Sequence, residues 1–247
     1  MIRFKKEYNV LFLKYIRRSI EDYYMIKSGD KVAVGLSGGK DSIFLLFALK
    51  LIQMTSIKDF EIIGINIDLG FNTDISPLEE FCNKNGIPII IEKTDIANIV
   101  FNDRKEKKPC SLCSKLRKGA LIRVSLDNNI NKIALGHNSD DVIETLFMNV
   151  LKVGKLGTFH PNIYFEDKNI NIIRPLIYIK EDVIENLTTT YNLPVIKSNC
   201  PKDKKTTREE MKNLLIKLEK IYPDAQQKII TSLSNVDFKN LWKQKNN

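Results

Sequence analysis

The chain has 247 residues, with 39 Lys and Arg against 30 Asp and Glu and a formal net charge of +9. That length supports about one to two domains with a real core, and with no run of roughly eighteen apolar residues a membrane span is not expected. Met1-Ile2-Arg3-Phe4-Lys5-Lys6-Glu7 mixes acid with base and lacks an apolar leader, so a cytoplasmic protein is expected, while the basic surplus is a weak pointer to a polyanionic partner.

Leu13, Ile16, Ile20 and Tyr23 recur at helical spacing and predict an amphipathic helix that ends before Lys27-Ser28-Gly29-Asp30. A strand is expected from Lys31 to Val34, then the turn Leu36-Ser37-Gly38-Gly39-Lys40-Asp41-Ser42, then a helix from Ser42 to Ile52. Further strand-like runs are Glu61 to Asp68, Pro88 to Lys93, Lys132 to Gly136 and, more weakly, Asn171 to Arg174. Helices are expected over Ile75 to Lys84, Leu116 to Asn128, Asp140 to Leu151 and Lys180 to Tyr191. From Lys205 onward the pattern predicts two helices broken at Tyr222-Pro223-Asp224, with Asp224 as N-cap. The Ile- and Val-rich strands lack clean alternation, the mark of a parallel sheet buried on both faces. The expected fold is therefore α/β: a doubly wound, mostly parallel sheet over 30–200, an N-terminal helical segment over 1–29 and a C-terminal helical segment over 201–247.

The turn from Ser37 to Ser42 joins a strand to a helix, and in such sheets ligands sit beyond the carboxyl ends of the strands. Backbone amides of a glycine-rich turn and the unpaired donors of a helix N-terminus converge on a phosphate there. The Walker A pattern fails twice: Asp41 follows Gly39-Lys40 where a hydroxyl is required, and the first glycine would fall at Val34. Gly35, Gly38 and Gly39 do not form the dinucleotide fingerprint either. The run Ser37-Gly38-Gly39-Lys40-Asp41-Ser42 resembles, at every position, the pyrophosphate loop of the PP-loop ATPases. That resemblance implies cleavage of ATP between its α and β phosphates, transfer of AMP to a substrate oxygen, and retention of pyrophosphate in the loop.

Cys110-Ser111-Leu112-Cys113 follows a polar loop and precedes a basic helix expected to begin near Ser114. From spacing alone, disulfide, zinc and iron-sulfur readings are all open. Cys200 follows the apolar Leu193-Pro194-Val195-Ile196 and is expected at a strand-to-loop exit; Cys82 lies in a helical run, where cysteine acts as a small buried hydrophobe. His160, before Pro161, reads as surface loop. Three thiolates, Cys110, Cys113 and Cys200, fall short of the four ligands of structural zinc, whereas a four-iron cluster on three cysteines keeps one open iron. Unligated thiols in a reducing cytosol are the plain alternative.

Gly136-His137-Asn138-Ser139-Asp140-Asp141 leads into a helix. Two acids at a helix start are either dipole-favoured caps or groups beside a nucleotide that hold magnesium. Together with Arg117, Arg174-Pro175-Leu176 and Cys200-Pro201, this segment is similar to the tRNA 2-thiocytidine synthetase family, over most of the chain. The resemblance implies ATP contacts at Ser37, Gly38, Gly39, Lys40, Asp41, Ser42, Ile67, Arg117, Gly136 and Asp141. It also implies Mg2+ and a 4Fe-4S cluster on Cys110, Cys113 and Cys200, with Lys40 and Asp41 joining these cysteines as the catalytic set. Cys200 is followed by Pro201, Lys202 and Asp203 rather than by a second C-x-x-C, a pattern similar to the 2-thiouridine branch, so both products stay open.

The implied reaction adenylates the C2 oxygen of a pyrimidine in tRNA and replaces it with sulfur. Implied partners are tRNA and a sulfur donor, sulfide or a cysteine desulfurase, with no membrane and a homodimer as the candidate assembly. Arg104, Lys105, Lys107, Lys108, Lys115 and Lys118 around C-x-x-C, and Lys202, Lys204, Lys205 and Arg208 after Cys200, make a candidate RNA surface, with Lys5, Lys6, Arg17 and Arg18 as an extension. Lys243 and Lys245 read as a frayed end. Two rivals are a lysidine- or amide-forming PP-loop ligase, which needs no cysteines, and a non-catalytic ATP- and redox-responsive module.

Overall fold

The computed structural model describes residues 1–104, 109–197, 199–201 and 207–242. A wide π-type turn (Asn9–Leu13) leads into α1 (Lys14–Asp22), followed by β1 (Lys31–Leu36), α2 (Lys40–Thr55), β2 (Glu61–Asp68), α3 (Ser76–Lys84) and β3 (Ile89–Lys93). Next come the short α4 (Ile96–Asn98), a second π-type turn (Ile99–Asp103), α5 (Pro109–Asp127), β4 (Lys132–Ala134) and α6 (Ser139–Met148). After a third π-type turn (Asn149–Val153) the chain forms β5 (Asn162–Phe165), β6 (Ile170–Ile173), α7 (Glu181–Thr190), α8 (Thr207–Ile221) and α9 (Ala225–Ser232).

The six strands lie in the order β3-β2-β1-β4-β6-β5. All neighbours run parallel except β5, which pairs antiparallel with β6. The order reverses between β1 and β4, so the carboxyl ends of these two strands flank the crevice where ligands of doubly wound sheets bind. Val32, Ala33 and Val34 of β1 are buried, as a central parallel strand requires. Helix α2 is apolar all round and buries every residue from Ser42 to Leu49, the pattern of a helix enclosed on all sides. Tyr8, Phe12, Phe44, Phe47 and Tyr191 pack ring against ring over it. A second core joins Ala33, Ile65, Ile67 and Ile133 of the sheet to Leu121, Ile122 and Val124 of α5.

Backbone contacts gather into two units, 1–138 with 160–205, and 139–159 with 206–247, a division along different lines from the linear segments read from the sequence. In the second unit α6 buries Val142, Ile143 and Leu146, and α8 buries Met211 and Leu215. The Gln226 amide donates to Ser139 Oγ at 3.0 Å.

Three expectations need correction. Helix α5 starts at Pro109, so C-x-x-C lies in its first turn rather than ahead of it; proline suits that position because its missing N–H is not needed there. Residues 193–197 pair with no strand, so Cys200 is not at a strand exit. Edge strand β5 was not anticipated, its four residues being half-buried or exposed.

Candidate functional site

The chain leaves β1 at Leu36, turns through Ser37 to Gly39, and enters α2 at Lys40. Lys40, Asp41 and Ser42 therefore occupy the first helical turn. Two hydroxyls close the loop: Ser42 Oγ donates to the Gly39 carbonyl at 2.9 Å and accepts from the Ser37 amide at 3.2 Å. Ser37 Oγ lies 3.1 Å from Ser42 Oγ and accepts from the Gly39 amide at 3.2 Å. Gly38 has φ +82°, left-handed backbone that favours glycine. A Cβ there would also stand 2.9 Å from Ile196 Cβ.

At the loop's mouth Lys40 Nζ donates to Glu181 Oε1 at 2.7 Å and to Asp41 Oδ2 and Oδ1 at 3.1 and 3.2 Å. Asn138, buried just beyond β4, donates to Asp41 Oδ1 at 3.1 Å. Burial works to lower the pKa of Lys40, but the charges of Asp41 and Glu181 and their hydrogen bonds outweigh it and leave it raised. The ammonium is thus charged at neutral pH and held by two acids from different elements.

Gly136 fixes the other wall. A Cβ there would stand 2.9 Å from the carbonyl carbon of Asp41 and 3.0 Å from the Ser42 amide nitrogen, so only glycine lets the β4 exit lie against the first turn of α2. Residues 193–197 cross the loop, with the Ile196 amide donating to the Gly38 carbonyl at 2.8 Å. Farther on, the Asn199 amide reaches the Phe71 and Asn72 carbonyls at 3.4 Å. On β2 the buried Asn66 amide donates to the Leu36 carbonyl at 2.9 Å, anchoring the strand end from which the loop departs.

All four cysteines are thiols. Burial, with the charge of Glu79 behind it, pushes the Cys82 thiol up to about 11, the mark of an inert core residue. Cys113 packs against the second core, and its pKa is raised first by burial. The Arg117 cation pulls it back down, while the Cys200 and Cys110 thiols push it further up. Two thiols, Cys110 and Cys200, and one guanidinium, Arg117, therefore bear on Cys113. Burial opposes the charge on Arg117 and the nearby Cys113 favours it, with a net lowering. Among the described residues no three His, Cys, Asp or Glu side chains stand close enough together to hold a metal ion as they are. The donor set nevertheless suits an iron-sulfur cluster, whose several irons each take a separate thiolate.

Residues 12–219 match the family described as the PP-loop domain. The tRNA-cytidine(32) 2-sulfurtransferase of Geotalea daltonii is 37% identical over 232 residues, which span 92% of this chain and 91% of that one. Its counterpart in Methylococcus capsulatus is 38% identical over 239 residues, 93% of this chain and 82% of that one. The chain belongs to this PP-loop sulfurtransferase family. A solved structure, the U34-tRNA thiolase NcsA of Methanococcus maripaludis with its 4Fe-4S cluster, superposes with a TM-score of 0.74 at 28% identity, covering 91% of this chain and 78% of that one.

Ile67 is buried on β2 within the second core. Asp141 lies in the first turn of α6, where Arg208 binds it at 2.7 Å. Lys118 sits over the Phe165 ring at 4.6 Å, while Arg104 and Lys115 are exposed. On the N-terminal helix Arg18 pairs with Asp22 at 3.3 Å and Arg17 donates to Thr55 at 2.8 Å. Lys5 pairs with Glu7 at 3.7 Å, and Lys6 is exposed. Lys105, Lys107, Lys108, Lys202, Lys204, Lys205, Lys243 and Lys245 lie outside the described residues. Sequence reasoning did not single out Glu181, Asn138 or Ile196 at the loop. No local pattern marks Glu181, whereas Asn138 sits inside the quoted Gly136–Asp141 motif and was open to notice.

Proposed function

We infer that the chain is an ATP-dependent tRNA sulfurtransferase that replaces the C2 oxygen of a pyrimidine, cytidine above all, with sulfur. The observation that carries this reading is one unit holding both the hydrogen-bonded Ser37–Ser42 turn at the end of β1 and the Cys110, Cys113 and Cys200 thiols, two of which bear on the third. A lysidine- or amide-forming ligase has no use for the second feature, and the relatives support sulfur transfer.

In this reading the turn of Ser37, Gly38, Gly39 and Ser42, shaped by its own internal hydrogen bonds, receives the phosphates of ATP, Lys40 neutralises charge there, and Asp41 places Mg2+. Ile67, Arg117, Gly136 and Asp141 complete the nucleotide contacts by resemblance. The pyrimidine C2 oxygen attacks the α-phosphorus and the bond to the bridging oxygen breaks, leaving pyrophosphate against the loop. Oxide is a poor leaving group, whereas AMP is a good one; sulfide attacks C2, and AMP departs with the former C2 oxygen. Cys110, Cys113 and Cys200 would hold a 4Fe-4S cluster, which supplies an iron without a protein ligand where sulfide is carried. Arg117, beside Cys113, balances thiolate charge. Exposed Arg104 and Lys115 meet the tRNA backbone, and the target base leaves its stack to react. Sulfide or a cysteine desulfurase is the donor, and the assembly is a cytoplasmic homodimer.

The test is anaerobic purification followed by iron analysis, a visible spectrum, and nucleoside mass spectrometry of tRNA incubated with ATP, Mg2+ and sulfide. The reading expects bound iron and new 2-thiocytidine. Iron-free protein that makes no thionucleoside would contradict it.

A further inference from the structure

Glu181 belongs to none of the motifs above, yet it makes the closest contact of the loop's lysine. It stands 141 positions from Lys40 and opens α7, and its Oε1 accepts from Lys40 Nζ at 2.7 Å, against 3.1 Å for the nearer Asp41 oxygen. The two side chains keep only 24% and 23% of their exposure, so the pair is partly shielded from water and from salt.

Asp41 holds the Lys40 ammonium from one side only. Successive residues of a helix point apart, and Asp41 is itself tied to Asn138 at 3.1 Å. A lysine has a long flexible stem whose ammonium, unheld, samples many rotamers. A second acid on a separate, rigid element removes that freedom by fixing Nζ from another side. Holding a binding group in place before its ligand arrives raises affinity by cutting the ordering cost of binding.

We propose that Glu181 is a positioning residue for Lys40, holding the ammonium at the mouth of the phosphate loop so that ATP meets it already placed. This rests on the reading that Lys40 contacts the phosphates. Glu181 touches neither ATP nor the reacting atoms; it acts through Lys40. Its effect therefore appears in nucleotide affinity and vanishes when Lys40 is removed.

The experiment is equilibrium binding of ATP with Mg2+ to the full chain, alongside thermal unfolding, for Glu181→Ala, Glu181→Gln, Lys40→Met and Lys40→Met with Glu181→Ala. The expected result is about tenfold weaker ATP binding for Glu181→Ala, recovery to within about threefold for Glu181→Gln, which keeps an acceptor, and no further loss when the alanine is added to Lys40→Met. If the alanine variant does not fold, Glu181→Asp carries the test: drawing the carboxylate back by one methylene should weaken ATP binding about threefold, and unchanged binding would overturn the proposal. Several results would overturn it while leaving the reading of Lys40 intact. One is a lower melting temperature with unchanged ATP affinity, the outcome of a purely structural role. Another is tighter ATP binding, which would make Glu181 a competitor of phosphate. A third is a full additional loss in the Lys40→Met background. If Lys40→Met itself leaves ATP binding unchanged, the reading of Lys40 fails and the proposal fails with it.

Discussion

The two ends of the parallel strands use similar polar residues to opposite purpose. Where β1, β4 and β6 begin, Asp30 accepts from the Lys27 amide and from the Asn131 side chain, both at 2.7 Å. Lys132 Nζ donates to Asn171 at 2.9 Å, Asn171 to Asn162 at 2.9 Å, and Asn162 to the Tyr23 carbonyl at 3.0 Å. Burial lowers the Lys132 pKa, and Asp30, 4.0 Å away, partly restores it. At the other end Asn138 and Ser42 are buried, while the Ser37, Lys40, Asp41 and Glu181 side chains around the loop stay part-exposed or exposed. One network closes on itself and holds strands in register. The other holds its charges at an opening, where a triphosphate can take them up. A site is thus marked by charged groups that buried polar neighbours hold part-exposed, not by polar groups as such.

Breaking each end should therefore produce different failures. The largest effect is expected from replacing Cys110, Cys113 and Cys200 together by serine: thionucleoside formation in tRNA, followed by mass spectrometry, should fall to background while ATP binding stays within about threefold, because the thiols lie outside the phosphate loop. Next, Gly136→Ala should weaken ATP binding by about tenfold or more and cost about 1–3 kcal/mol of stability, since the new methyl group meets the Asp41 backbone. Lys132→Met should do the reverse, lowering stability in urea unfolding by about 1 kcal/mol through lost hydrogen bonding while leaving ATP affinity unchanged. The smallest effect is at Cys82. With its thiol pushed up to about 11, it should resist iodoacetamide at about pH 8 in the native protein and react once unfolded.

What the sequence disclosed follows from where its signals are local. The strand, loop and helix around Ser37–Ser42 were legible because an apolar strand, two glycines and an apolar helix follow one another without interruption. The start of α5 was misplaced because Cys110-Ser111-Leu112-Cys113 carries little helical periodicity, although Pro109 marks an N-terminus. Edge strand β5 escaped notice because its short, part-exposed residues show no alternation strong enough to read. Glu181 was illegible for a different reason. Only the folding of α7 against the first turn of α2 brings it to Lys40, and no spacing along the chain encodes that meeting.

In the proposed reaction the phosphate loop activates the same carbon that receives sulfur, a coupling that isotopic labelling can follow. It is tested most directly with tRNA carrying a heavy oxygen isotope at C2 of the target cytidine, incubated with ATP, Mg2+ and sulfide under anaerobic conditions. One labelled oxygen is expected in AMP for each 2-thiocytidine formed. Label appearing in water or pyrophosphate, with unlabelled AMP, would contradict it.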